Sequence, residues 1–158
     1  ASVVGRTLSE LNAREERGSN IVISGLSESE VDEASERKNH DITAVKDALQ
    51  HLCPNVDDAD IEAVFRAGKK HNDRPRLTIV RLCNSDIRAT LLKKARTTTI
   101  PGEIKIRPDL TKAEREEETL FFKRLREAEA ANPGAVFRVT GPPGRRKFTK
   151  TKEKPTDQ

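Results

Sequence analysis

RAGKKHNDRPRLTIVRL, residues 66–82, joins a basic loop to a β-branched strand, and the fold turns on how it is read. The loop carries Arg66, Lys69, Lys70, His71, Arg74 and Arg76, and residues 77–82 (Leu-Thr-Ile-Val-Arg-Leu) alternate as a strand does. Pro75 marks the junction, because its locked φ suits an extended start and its missing N–H is tolerated at the first residue of a strand. A cationic loop feeding a rigid strand is how a small domain holds a phosphate backbone against a sheet. A solvated loop ahead of a core strand is the plainer reading of the same residues.

Working outward, Ile61–Arg66 alternates and is read as a strand closed by Gly68. Beyond the central strand, Ser85 is expected to cap a helix over residues 85–96, with Ile87, Leu91 and Ala95 buried and Arg88, Lys93, Lys94 and Arg96 elsewhere. Residues 20–26, Asn-Ile-Val-Ile-Ser-Gly-Leu, form a short apolar run that suits a central buried strand ending in glycine. Residues 27–38 are acidic and polar and read as an exposed loop. Asp41 is then the expected cap of a helix over residues 41–52, with Ile42, Val45, Leu49 and Leu52 at helical spacing and Pro54 ending it. After the turn signal Pro101-Gly102, residues 103–107 alternate as a strand with one basic face.

The order is therefore strand, helix, strand, strand, helix, strand. It predicts an α+β, RRM-like (ferredoxin-like βαββαβ) domain over residues 20–108. Its four-stranded antiparallel sheet carries both helices on one face and leaves the other open to a ligand. A separate appendage over residues 109–150 follows. Thr111-Lys112-Ala113-Glu114 is a capping box that starts a helix ending at Asn132. Residues 136–139 and 147–149 flank Gly141-Pro142-Pro143-Gly144 as a hairpin. The last eight residues, TKEKPTDQ, are expected to be a disordered tail. At the other end, Val4, Leu8 and Leu11 share one helical face. Residues 1–19 thus read as the end of an upstream helix or coiled coil, or as a linker.

Of the 158 residues, 34% are hydrophobic, 3% aromatic and 35% charged, which implies a modest aliphatic core. The absence of methionine, even at position 1, suggests a piece of a longer protein. Net charge is +4, yet residues 1–64 carry 6 Lys+Arg against 14 Asp+Glu and residues 65–158 carry 24 against 12. That asymmetry points to a polyanion-binding half and away from adhesion to anionic membranes. No apolar run approaches a membrane span and no signal peptide is visible. Two cysteines, Cys53 and Cys83, make no disulfide framework and suit a reducing compartment, cytoplasmic and nuclear.

No catalytic constellation stands out, so an enzyme is not expected and no cofactor is implied. His40, His51 and His71 fall in three elements and have no ligand-like spacing to the cysteines. Asp57-Asp58-Ala59-Asp60 reads as a solvated turn with an N-cap, not as a metal site. Nucleic-acid binding collects more signals: Arg66, Lys69, Lys70, Arg74 and Arg76 at one sheet end, and Arg81 with Leu77, Ile79 and Val22 on the open face. Where the RNA recognition motif places aromatics, this chain has Val22, Leu77 and Ile79. Affinity is then expected to rest on phosphates, tolerant of sequence and sensitive to salt.

NIVISGL, VFRAGKKHNDRPRLTIVRL, IKIRPDLT and the charged helix ending near NPGAVFRV together resemble one family. It is the first open-reading-frame protein of LINE-type non-LTR retrotransposons, and the resemblance covers about residues 12–150. It implies a coiled-coil homo-oligomer in the parent protein, a ribonucleoprotein coat on the element's transcript and nucleic-acid chaperone activity. The implied ligand is single-stranded RNA, with single-stranded DNA as a competitor and no membrane partner. Carried onto this chain, the implied RNA contacts are Arg66, Arg74, Arg76 and Arg81, then Lys94 and Arg96 on the second helix. From the appendage come Arg115, Arg138, Arg145 and Arg146. These 158 residues are expected to be monomeric. The rival reading is a pseudo-RRM that docks a partner peptide on an apolar patch of Val22, Leu77 and Ile79.

Overall fold

The elements, in chain order, are α1 (Val3–Arg17), β1 (Asn20–Ser24), α2 (Ala34–Leu52), a 3₁₀ turn (Asp58–Asp60), β2 (Ile61–Arg66), β3 (Thr78–Leu82), α3 (Ser85–Ala95), β4 (Lys105–Pro108), α4 (Lys112–Ala131), β5 (Val136–Thr140) and β6 (Lys147–Thr151). This computed structural model describes residues 3–151. The chain is α+β and divides into two units: Glu15–Asp109, and the residues up to Arg14 together with those from Leu110 onward.

In the first unit four antiparallel strands run in the order β2-β3-β1-β4. Ile21, Ile23, Val80 and Leu82 point to one side and are fully buried against Val45 and Leu49 of α2 and Leu91 of α3. Both helices thus cover the same face. Each such aliphatic side chain contributes roughly 1.5–3 kcal/mol of transfer free energy, so this face drives folding of the unit. Gly25, at φ +92°, ends β1 where a Cβ would lie 2.7 Å from the Glu103 carbonyl oxygen, a close approach only glycine permits.

Strand β2 departs from simple alternation. Ile61 pairs with Leu82 but Ala63 pairs with Arg81, so one extra residue, Glu62, is accommodated in a bulge. Ile61 packs against the core, and after the bulge the inward positions are Val64 and Arg66 while Ala63 and Phe65 face the open side. Unbroken alternation from Ile61 would have turned Phe65 inward and Arg66 outward. A one-residue shift reverses every side chain that follows it.

The helices also differ from expectation at their starts. Helix α2 begins at Ala34, not Asp41, so residues 34–38 leave the expected loop and become helical. Those first turns hold no buried residue. They are supported by Arg37, whose amide donates to the Glu33 carbonyl and whose Nη1 donates to the carbonyls of Val31 and Asp32 at 2.7 and 2.6 Å. Helix α3 is capped by Asn84, whose Oδ1 accepts from the Ile87 amide at 2.9 Å, and Ser85 is its first helical residue. Asp57 caps the 3₁₀ turn with Asp60 reaching back to its amide, which accounts for the acidic run as turn chemistry.

In the second unit the capping box of α4 forms as its spacing predicts, with Thr111 Oγ1 accepting from the Glu114 amide and Glu114 accepting from the Thr111 amide. Thr111 Oγ1 also donates to Glu10, and Glu10 pairs with Arg14 at 2.8 Å. The Glu10 hydrogen bond holds the Arg14 guanidinium above its usual pKa; burial opposes it and Glu117 reinforces it. Strands β5 and β6 pair as the expected hairpin. Phe148 meets Phe121 and Phe137 edge to face, with ring centroids 5.7 Å apart in both cases. The hairpin takes in Thr151, the first residue of the expected tail, which pairs with Val136. The rest of that tail lies outside the described residues. Helix α1 exists, and Val4, Leu8 and Leu11 are exposed on it.

Candidate nucleic-acid interface

The cations gathered by sequence do not form one cluster. Arg66 faces the helices, with only 5% of its side chain exposed. All five of its N–H groups are engaged. Nε and Nη2 grip the two Asp41 oxygens at 3.2 and 2.8 Å, Nη1 donates to the carbonyls of Leu26 and Arg76, and Nη2 also donates to that of Ser27. Arg66 is thus removed from the expected RNA contacts. It ties the end of β2 to α2 and to the segment that leaves β1. Asp41, expected as a helix cap, is instead its counterion.

Arg76 is held in a similar way. Its Nε donates to Glu28 at 2.7 Å, its amide reaches the same carboxylate at 3.4 Å, and Nη1 donates to the Gly68 carbonyl. Burial pushes the Glu28 carboxyl up. The Arg76 hydrogen bonds, with the charges of Arg76 and Arg66, outweigh burial and hold it below the usual carboxylate range. Glu28, Glu30 and Asp32 line a cleft of about 640 Å³ with Arg37, Lys70 and Arg76, along Val64 and Phe65. The acidic front of the chain therefore folds against the basic loop. Charge segregated along the sequence is interleaved in space. Lys69, Lys70 and Arg74 remain exposed in that loop, with no acidic partner at ion-pair distance among the described residues.

The open face is organised by register. One row across the sheet is Phe65, Ile79, Val22 and Arg107. The next, toward the end of β3, is Ala63, Arg81 and Asn20, and on the other side Ser24 pairs with Lys105. Arg81, Lys105 and Arg107 are exposed and have no ion-pair partner among the described residues. Arg81 stands at the opposite end of β3 from the basic loop, so it does not belong to the loop group. Lys105 and Arg107 were absent from the sequence-derived contacts, although the alternation of residues 103–107 already gave that strand one basic face.

Two further corrections concern the apolar residues of this face. Val22 is 6% exposed, so the expected patch of Val22, Leu77 and Ile79 lacks its central member. Phe65 is 42% exposed and supplies an aromatic where none was expected. Lys94 and Arg96 lie exposed at the C-terminal end of α3.

In the second unit Arg146 is committed. Its Nε lies 2.8 and 3.1 Å from the two Glu118 oxygens, and its guanidinium lies over the Phe122 ring at 5.5 Å. Arg146, expected as an RNA contact, is thus engaged with Glu118 and Phe122. Arg115, Arg138 and Arg145 are exposed. Arg115 lines a groove along α4 of about 520 Å³ with Lys112, Leu120 and Lys123.

Cys53 is half-buried just past α2 and Cys83 is exposed just past β3, both as free thiols. Among the described residues no group of three or more His, Cys, Asp or Glu side chains could hold a metal, and no helix is long and apolar enough to cross a membrane. Compared with family models and with curated proteins, the chain matches none.

Proposed function

We propose that the chain binds single-stranded nucleic acid, RNA in the first instance, on the open face of its four-stranded sheet. The observation that carries this reading is the set of exposed cations Arg81, Lys105 and Arg107 on the face opposite the helices. Lys69, Lys70 and Arg74 extend the positive surface from the β2–β3 loop. The strand order β2-β3-β1-β4 with both helices on one side supports an RRM-like assignment. The RPR…V-R-L run supports descent from a LINE-type first open-reading-frame protein. In that setting the chain is the RNA-coating part of a longer, self-associating protein, and DNA single strands compete for the same face.

Cations spread over a sheet neutralise phosphates without reading base edges, so binding is sequence-tolerant and weakens steeply with salt. The test is the slope of log affinity against log salt for an oligouridylate, measured for the wild type and for the Arg81→Ala/Lys105→Ala/Arg107→Ala variant. Each lost phosphate contact lowers that slope by about 0.7 for a single strand, so the triple variant loses about two units. An unchanged slope overturns the assignment of the face. Salt-insensitive docking of a peptide to it supports the rival protein-binding reading.

A further inference from the structure

The chain has five phenylalanines and neither tyrosine nor tryptophan. Four of the five are consumed inside the second unit: Phe121 meets Phe122 and Phe148, Phe137 meets Phe148, and Arg146 lies over Phe122. Phe65 is the one that remains. It is the only phenylalanine in the first unit, and the bulge at Glu62 turns it out of the core onto the open face. There it stands 42% exposed, beside an interior built of aliphatic side chains.

Along the sheet edge the ring borders the cleft that Glu28, Glu30 and Asp32 line with Lys70 and Arg76, and on the open face its neighbours suit a nucleotide. Ile79, directly across the β2–β3 pair, is half-buried and forms an apolar floor beside the ring. Arg81 is the diagonal neighbour on the same face, with a Cα separation of about 7–8 Å for that relation. Its exposed guanidinium has no ion-pair partner among the described residues. A flat ring offers a stacking surface to any base, and a cation at that distance is within reach of the phosphate of the stacked nucleotide.

We infer that Phe65 is a base-stacking subsite that takes one unpaired nucleobase, with Arg81 holding the neighbouring phosphate. This rests on the reading of the open face given above and adds to it a contact that does not depend on charge. The strand is gripped by its backbone at several points and by one base at β2. The site requires a base with an accessible face, so it takes single strands and excludes continuous duplex.

Phe65→Trp places a single indole in the chain, so its fluorescence reports on this position alone. Titration with an oligouridylate is expected to quench the emission, while an abasic phosphodiester chain of the same length binds without quenching. Phe65→Leu keeps an apolar side chain at an already exposed position. It is expected to weaken oligouridylate binding about tenfold and to leave the abasic chain unaffected. If Phe65→Leu binds both polymers as the wild type does, or if the indole is not quenched by bound oligouridylate, the stacking subsite is overturned and the cationic face stands. If the wild type binds neither polymer, both readings fall together. A peptide that shifts the indole emission in a salt-independent manner, where oligouridylate does not, puts a protein on this ring and overturns the subsite.

Discussion

Arg66 and Arg107 stand on opposite faces of the same four-stranded sheet, and the difference between the two faces separates enclosed from solvent-facing charge. On the helix side Arg66 is enclosed, its five donors shared among Asp41 and three backbone carbonyls. On the open side Arg107, Arg81 and Lys105 reach solvent with no counterion among the described residues. Charge alone did not sort them. What sorted them was the direction each Cβ takes from its strand, and whether a carboxylate was folded up to meet it.

Breaking the enclosed side gives the largest expected effect. Arg66→Ala leaves the Asp41 carboxylate, 15% exposed, without its partner and frees three carbonyls, and breaking a largely enclosed pair of this kind costs about 3 kcal/mol. Denaturant unfolding should show that loss, while the salt slope of nucleic-acid binding by the folded fraction stays as in the wild type. A stable Arg66→Ala protein with a flattened slope would put Arg66 among the ligand contacts after all.

The open side should respond in the opposite sense. Arg81→Ala/Lys105→Ala/Arg107→Ala is expected to flatten the salt slope by about two units and to change unfolding free energy by less than about 0.5 kcal/mol per site. Loss of the folded state in this variant would mean the open face is structural too.

Glu28 and Arg76 fall between the extremes. The Glu28 carboxyl is depressed in the folded chain, so its contribution to stability is present above the ordinary carboxylate pKa and is lost as pH falls through the folded value. Glu28→Gln is expected to cost about 1.5 kcal/mol at neutral pH, and the gap to wild type should close as pH drops below the ordinary carboxylate range. A gap that is constant with pH would mean the Glu28 charge is not what stabilises that loop. The smallest effect is expected at the end of α3, where Lys94→Ala/Arg96→Ala should lower the salt slope by about one unit or less. A larger drop there would move the main contact surface off the sheet.

Local chemistry was legible wherever neighbours in sequence are also partners in space. The Thr111–Glu114 capping box, the hairpin around residues 141–144 and the Asp57 turn all depend on residues a few positions apart. The aliphatic spacing of Val45, Leu49 and Leu52 marked the buried part of α2. Its first turns escaped because residues 34–41 carry no apolar periodicity. The four strands and their alternation with helices were likewise open to reading from pattern alone.

What the sequence by itself determined was the set of elements and their order, since propensity, caps and hydrophobic period act over a few residues. Which arginine is enclosed and which reaches solvent was decided only in the tertiary structure. Asp41 lies twenty-five residues from Arg66 and Glu28 forty-eight from Arg76, so nothing local announces either pair. The single extra residue at Glu62 is set by the pairing of β2 with β3, and it exchanges the faces of Phe65 and Arg66. Because side chains alternate with a period of two, that one residue is enough to bury a charge and expose a ring.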